Sequence, residues 1–222
     1  MDFQEYIPFW KQLTPQQQQT LQCSLLKKTV LKGTTVHSGF EDCTGLLLPI
    51  SGQLRVYISS EEGKEITLYR LFERDMCLFS ASCMLKNILF DVIIQAEQDT
   101  TLLHIPVEIY KQLMEESLAV SHYTNELMAY RFSDVMWLID QILNKKLDTR
   151  LAAFLIEESR LIHSNNISVT HEQIAHHLGT AREVVTRMLK YFQTEGLVLL
   201  TRGNIQLVDA KRLKKLAFVS LK

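Results

Sequence analysis

Charged side chains that could read a nucleic acid are concentrated near the carboxyl end of the chain. Arg182, Glu183 and Arg187 follow Gly179 at spacings that place them on one side of a helix. An arginine can donate two parallel hydrogen bonds to a guanine edge, and a carboxylate can accept one from cytosine. Lys190, further along the same side, can meet a phosphate. The alternative is a solvated helix face with an ordinary mixture of charges.

The distribution of charge along the chain favours the first interpretation. The formal net charge of the 222 residues is −1, but residues 171–222 carry nine Lys/Arg against four Asp/Glu. The first 170 residues therefore carry an excess of acids. A basic carboxyl-terminal quarter in a nearly neutral chain indicates that one end meets a polyanion, with a solvated lysine tail as the alternative.

The elements around these charges have the order of a winged helix-turn-helix. Thr170 and Gln173 form the pattern of a capping box, which predicts a helix over Thr170–Leu178. Gly179 allows a tight turn, and a second helix is expected from Ala181 to Glu195. A further helix is predicted over Leu147–Ile162. The run LVLLTRGNIQLV after Gly196 predicts two strands around an Arg-Gly-Asn turn, which is a wing.

The first half of the chain has the texture of a β-structure. After a predicted helix at Phe3–Leu26, with Thr14-Pro15 as the start of its second part, residues 29–105 consist of short apolar or alternating runs separated by glycines. The tetrad Glu61-Glu62-Gly63-Lys64 is a typical hairpin turn. Short strands at regular spacing favour a closed or rolled antiparallel barrel.

A long helical region after Pro106 carries an apolar seam. Its members follow alternating gaps of four and three residues, which is a heptad pattern that calls for a second helix: Met128, Phe132, Val135, Ile139 and Ile142. We expect this seam to form a dimer interface, and an amphipathic helix lying on its own barrel is the alternative. Polar residues at 144–148 interrupt the seam and indicate a domain boundary.

The stretch GTAREVVTRMLKYFQTEGLV resembles the recognition helix of the Crp/Fnr superfamily of bacterial transcription regulators, whose pattern G-x-x-R-E-x-x-x-R falls on Gly179, Arg182, Glu183 and Arg187. The resemblance implies an α+β fold with three parts. Residues 1–118 would form a double-stranded β-roll of the cyclic-nucleotide-binding type, which binds an effector. Residues 119–144 would form a dimerisation helix, and residues 147–222 a winged helix-turn-helix.

The resemblance also implies partners and roles. Such regulators are homodimers that bind two-fold symmetric double-stranded DNA, and RNA polymerase is a further partner if the protein is an activator. Arg182, Glu183 and Arg187 would read base edges. The residues expected to approach the DNA backbone are Thr170, His171, Thr180, Thr186, Lys190 and Arg202.

The sensor region departs from the cyclic-nucleotide members. Those members carry a Gly-Glu and an Arg-Ser or Arg-Thr that bind ribose and phosphate, whereas this chain has Asp75-Met76-Cys77 and Phe90-Asp91 at roughly those places. Asp91 would repel a phosphate, so cyclic AMP and cyclic GMP are not expected. We expect instead a mostly apolar pocket for an unknown small molecule, lined by Met76, Cys77, Leu78, Ser80, Ser82, Cys83 and Phe90.

Other kinds of sensor remain open from the sequence. Cys77 could act as a thiol switch if a helix start or Arg74 lowers its pKa. An iron–sulfur cluster is not favoured, because the cysteines lack cluster spacing. Haem ligation by Cys77, Cys83 or His104 is not favoured either, because residues of these types are more commonly ordinary buried or surface residues. No metal site is expected.

Two further classes of protein are a constitutive DNA-binding dimer and a small β-barrel enzyme with a metal site or a peroxidatic cysteine. The enzyme is not expected, because the barrel region has no clustered His-x-His pair or activated cysteine.

The cysteines also lack disulfide spacing, no apolar run is long enough to cross a membrane, and the first residues do not resemble a signal peptide. A cytoplasmic protein without membrane contact is therefore expected.

Overall fold

The computed structural model describes residues 3–39, 45–84 and 92–218, and it divides into two compact units. The first unit consists of residues 1–59 and 68–135, and the second of residues 60–67 and 136–222. Within the described residues, every helix is too short or too polar to cross a lipid bilayer.

The amino-terminal segment is less helical than its sequence suggests. Two short 3-10 helices, Phe3–Glu5 and Trp10–Gln12, precede helix α1 at Pro15–Ser24. The predicted helix over Phe3–Leu26 is therefore wrong before Pro15. Pro8 disfavours helical backbone at the preceding residue, and Thr14 is extended because it caps α1 through a reciprocal pair of hydrogen bonds with Gln17.

The rolled antiparallel architecture predicted for the first unit is confirmed. Its strands are β1 (Leu26–Val30), β2 (Thr35–Ser38), β3 (Leu46–Ser51), β4 (Leu54–Ser59), β5 (Glu65–Leu71, of which residues 65–67 belong to the second unit), β6 (Ile93–Ala96) and β7 (Thr100–Ile105). They form one sheet in the order β1-β7-β3 and another in the order β2-β6-β4-β5. Between β4 and β5, the predicted turn closes with a hydrogen bond from Gly63 N to Ser60 O at 2.9 Å.

Helices complete the first unit. A 3-10 helix at Phe79–Met84 follows β5, and helices α2 (Val107–Glu116) and α3 (Leu118–Asn144) follow β7. Residues of α3 from 136 on belong to the second unit. The start of α3 buries Val120 in a core that also holds Leu48, Leu103 and Tyr110. A second core contains Val56 and other aliphatic residues of β4, β6 and β7. It lies on the opposite face of the β1-β7-β3 sheet from the first core.

The second unit contains the predicted helix-turn-helix and wing. Its elements are α4 (Leu147–Leu161), β8 (Asn166–Ile167), α5 (His171–Leu178), α6 (Arg182–Thr194), β9 (Val198–Thr201), β10 (Asn204–Leu207) and α7 (Ala210–Ala217). The strands form a sheet in the order β8-β10-β9. Helix α7 is not among the elements predicted from the sequence, although Asp209 caps it by accepting a hydrogen bond from Arg212 N at 2.9 Å.

Candidate functional site

Helix α6 has one buried face and one exposed charged face. Its apolar residues Val185, Leu189 and Phe192 are fully buried in the core of the second unit. On the opposite face, the side chains of one shallow depression are Arg182, Glu183, Thr186, Arg187 and Lys190. The spacing of the apolar residues therefore orients the helix, and every charged group predicted to read DNA faces outward.

Local chemistry fixes the two helices of the motif. Thr170 accepts a hydrogen bond from Gln173 N at 3.1 Å, and Gln173 Oε1 accepts one from Thr170 N at 2.9 Å, so the predicted capping box is present. Helix α5 ends at Gly179, whose φ of 63° lies in the left-handed region. Arg150 of α4 donates from Nη2 to the Leu178 carbonyl at 2.6 Å, which satisfies one of the free carbonyls of α5.

The start of α5, the start of α6 and the wing enclose a cleft. Its lining includes Thr170, His171 and Glu172 from α5, Arg182 from α6, and Thr201 and Asn204 from the wing. Thr180 is half-buried and its N–H donates to Ala175 O, while Arg202 is exposed at the turn of the wing. The structure thus brings Thr170, His171 and Arg182 together and places Arg202 at the tip of the neighbouring hairpin.

Two hydroxyls that the sequence offered as DNA contacts have partners within the protein. Thr170 Oγ1 is engaged with Gln173 in the capping box. Thr186 Oγ1 donates to the Arg182 carbonyl at 2.9 Å and lies 2.8 Å from His171 Nδ1. The contact between His171 and Thr186 joins residues 15 positions apart, so periodicity alone could not reveal it.

Helix α3 carries an exposed apolar row at the predicted seam. Phe132, Ile139 and Ile142 are 68%, 41% and 43% exposed, and Met128 and Val135 are half-buried. Leu143, near the end of the same helix, is also 75% exposed. These side chains lie in water in a single chain, although apolar rows of this kind are typical of helix–helix interfaces.

Comparison with known proteins assigns the chain to a family. Residues 149–216 match the sequence model of the Crp-like helix-turn-helix domain, and residues 27–117 match that of the cyclic nucleotide-binding domain. A crystal structure of a transcriptional regulator of the Crp/Fnr family from Eubacterium rectale is 57% identical, covers 96% of this chain and 99% of its own, and superposes with a TM-score of 0.94. The chain belongs to the Crp/Fnr family.

More distant relatives of this Crp/Fnr protein are transcription regulators with different names. The cyclic AMP receptor protein of Thermus thermophilus is 28% identical over 173 residues, which cover 78% of this chain and 79% of that protein. The fumarate and nitrate reduction regulatory protein of Vibrio cholerae is 26% identical over 202 residues, which cover 87% of this chain and 79% of that protein. The family relationship establishes that the chain is a DNA-binding transcription regulator.

The sensor loop of this Crp/Fnr protein does not bring its candidate residues onto one wall. Met76 and Leu78 are buried in the core that contains Tyr110, whereas Cys77 is buried in the other core of the unit. The backbone of Cys77 pairs with that of Leu47 of β3 in an isolated antiparallel β-bridge. The Cys77 carbonyl accepts a hydrogen bond from the Ser80 hydroxyl at 3.0 Å. The side chains of Ser82, Cys83 and Phe90 lie outside the described residues.

A buried polar group that sequence analysis missed lies beside Cys77. Tyr69 Oη is 3.9 Å from Cys77 Sγ, and the Arg131 guanidinium lies 4.3 Å from the centroid of the Tyr69 ring. Arg131 Nη1 donates to Asp134 at 3.2 Å. Burial raises the pKa of the Cys77 thiol and raises that of Tyr69 well above its usual value, so both groups are neutral near pH 7.

Within the described ranges, no cluster of three or more His, Cys, Asp or Glu side chains could hold a metal ion. His176 and His177 of α5 interact with other residues of the second unit: His176 Nδ1 lies 3.4 Å from Glu65 Oε2, and His177 Nδ1 lies 2.8 Å from Thr67 Oγ1.

Proposed function

We propose that this Crp/Fnr protein is a homodimer that binds two-fold symmetric double-stranded DNA and responds to an effector in its β-roll. The observation that carries the DNA-binding part is the exposed row of Arg182, Glu183 and Arg187 on a helix whose other face is buried. The two arginines pair with guanines, and Glu183 accepts from a cytosine amine. Each protomer reads one half-site, and the half-sites are about one helical turn apart.

Backbone contacts hold this helix in register. Lys190 lies on the same exposed face, and Arg202 at the tip of the wing reaches a phosphate beyond the helix. His171 and Thr180 make further backbone contacts, and Thr186, whose hydroxyl donates to the Arg182 carbonyl, acts by holding His171. Because Thr170 already caps α5, its role is to present the helix start, whose free N–H groups attract phosphate oxygens.

Dimerisation is supported by the exposed row of Phe132, Ile139 and Ile142, together with Met128 and Val135. Packing this row against a second copy removes apolar surface from water and sets the distance between the two recognition helices. RNA polymerase is a partner if the protein activates transcription. The protein has no catalytic role in this proposal, and it acts in the cytoplasm.

The proposed effector is a small molecule other than a cyclic nucleotide. Where cyclic-nucleotide members hold the ribose with a carboxylate, Met76 and Cys77 present buried side chains without charge. The raised pKa of Cys77 argues against a thiolate switch at this residue, since the thiolate is the reactive form. Leu78 and Ser80 remain candidates for pocket contacts, as do Ser82, Cys83 and Phe90. An effector that shifts α3 relative to its partner helix would change DNA affinity.

Selection from a random-sequence duplex library tests the DNA-binding proposal. We expect enrichment of a palindromic site, and fluorescence anisotropy should show that Arg182→Ala and Arg187→Ala each weaken binding by about 1–3 kcal/mol on that site. Arg160→Ala is the matched control, because Arg160 is an exposed arginine at the end of α4.

Equal loss in the control and in Arg182→Ala would show that only overall charge matters, and the base-reading role would be wrong. Unchanged binding in both recognition-helix variants would remove α6 from the interface. For the effector, native mass spectrometry and a visible spectrum of protein purified without oxygen distinguish a retained small mass, a haem and an iron–sulfur cluster.

A further inference from the structure

The hydrogen bonds around Thr186 determine the tautomer of His171. Thr186 Oγ1 lies 2.9 Å from the Arg182 carbonyl, which can only accept, so the single hydroxyl proton points to that carbonyl. His171 Nδ1 lies 2.8 Å from the same oxygen. Since the hydroxyl proton is already used, Nδ1 must carry a proton and donate it to Thr186. In the neutral ring, Nε2 is then an acceptor.

This tautomer is the wrong one for a neutral contact with DNA. Phosphate oxygens only accept hydrogen bonds, so an unprotonated Nε2 that faces one would be repelled. A doubly protonated ring donates from both nitrogens and adds a positive charge, and it suits a phosphate. Contact therefore requires the ring to take a proton from solvent.

We propose that His171 is a proton-linked phosphate contact: the Thr186–Arg182 carbonyl pair fixes its Nδ1–H, so DNA binding takes up about one proton per protomer at Nε2. The inference rests on the proposed function and adds to it a dependence of operator affinity on pH. Thr186 acts here as a positioning residue, which acts through His171.

The charged groups around His171 favour a neutral ring in the free protein and a protonated ring beside DNA. The cleft presents Arg182 from α6 and Glu172 from α5, and the wing contributes Thr201 and Asn204, which carry no charge. Burial lowers the pKa of His171 in the DNA-free protein, and the Arg182 guanidinium lowers it further. The free ring is therefore neutral near pH 7, and a phosphate beside it would raise the pKa. Affinity should rise as pH falls through the pKa of the bound state, and it should level off below that of the free state.

Calorimetry measures the proton uptake directly. The probe is the duplex enriched from the random library, titrated at one pH in buffers of different ionisation enthalpy. We expect uptake of about one proton per protomer in the wild type, and anisotropy should show affinity falling up to about tenfold per pH unit per protomer above the free pKa. His171→Gln, whose amide can donate without titrating, should bind with no uptake from this position.

Variants of Thr186 distinguish the tautomer from a simple packing role. Thr186→Val keeps the shape but removes the acceptor, so Nε2–H becomes available in the neutral ring and proton uptake should fall. Thr186→Ser should retain it. His176→Gln is the matched control on the same helix, and its uptake should equal that of the wild type.

Three outcomes would overturn the inference. One is uptake that is the same in wild type and His171→Gln. Another is absence of uptake in a wild type that still binds the duplex and still depends on Arg182, and this result leaves the proposed function intact. The third is unchanged uptake in Thr186→Val. If instead neither the selected duplex nor low-salt random duplex binds through α6, the proposed function itself is wrong.

Discussion

Arg131 of helix α3 lies over the ring of Tyr69 of strand β5, with 4.3 Å between the guanidinium carbon and the ring centroid. Arg131 is 5% exposed, and it pairs with Asp134, which is 8% exposed, at 3.2 Å. A cation, a carboxylate and an aromatic ring therefore share the interior of the first unit. In a medium of low dielectric constant, removing one partner of a buried ion pair greatly raises the free energy of the charge that remains.

Replacing Arg131 by methionine should destabilise the first unit by about 3–5 kcal/mol, because the buried Asp134 loses its ion pair with Arg131. The double variant Arg131→Met/Asp134→Leu should recover much of this loss. Urea unfolding monitored by Trp10, which is buried in the same unit, measures the change in a Trp137→Phe background. Arg160→Met on the surface serves as control and should change stability by less than about 0.5 kcal/mol. A similar loss in single and double variants would contradict this account.

The apolar row of α3 gives a prediction about assembly. Ile139→Glu and Phe132→Glu should each convert the dimer to a monomer at micromolar concentration, because a carboxylate would lose its water in an apolar seam. Sedimentation velocity measures the change. Ser133→Glu adds the same charge at an exposed position beside the seam and should leave the dimer intact. Dimers that persist in both seam variants would place the interface on another surface.

The burial of Cys77 gives a prediction about thiol chemistry. Rapid labelling of the native protein by an aromatic disulfide reagent should give the same thiol count in wild type and Cys77→Ser. After denaturation, the wild type should show one more reactive thiol than Cys77→Ser. Exposed Cys23 should react in both.

The same residue makes stability depend on pH. Because its pKa is raised on folding, the folded state holds the proton to higher pH than the unfolded chain does. The contribution to stability is therefore fully present below the unfolded pKa and is lost as pH rises through the folded pKa. Cys77→Ser should reduce the decline in stability at alkaline pH. A fast-reacting thiol that disappears in this variant would show that Cys77 is accessible.

Gly179 combines a left-handed backbone with a crowded position. An alanine there would be strained at φ 63°, and its Cβ would lie 2.8 Å from the Ile66 side chain of the same unit. Gly196 has a φ of 69° and open space around it, so Gly196→Ala measures only the free-energy cost of placing an alanine in the left-handed backbone conformation. We expect Gly196→Ala to cost about 1 kcal/mol and Gly179→Ala to cost about 1 kcal/mol more. Hydrogen exchange of the α5 and α6 amides measures the loss of stability in each variant. Adding Ile66→Ala to Gly179→Ala should remove the part of the loss that comes from the contact with Ile66. Equal costs would show that Ile66 moves aside freely.

The helix-turn-helix could be predicted closely because its signals are local. Thr170 with Gln173 and Gly179 at the turn each act within a few residues, so the sequence carries them directly. The helix predicted over Phe3–Leu26 is too long for the same reason, because only local signals enter the prediction. The apolar residues before Thr14 fit a helical pattern, but Pro8 and the extended cap at Thr14 interrupt it.

Local sequence signals predict a charged helix after a glycine turn, a wing after that helix, and a rolled antiparallel β-structure before them. The contacts of those side chains depend on how the elements pack. Met76 and Cys77 are neighbours in sequence but enter different cores, because successive residues of an extended segment point to opposite sides. The sequence indicates Thr186 as a DNA contact, and only the packing of α5 against α6 gives it His171 as a partner. Hydrogen bonds between distant residues depend on how elements pack, and the spacing of residues within one element does not encode that packing.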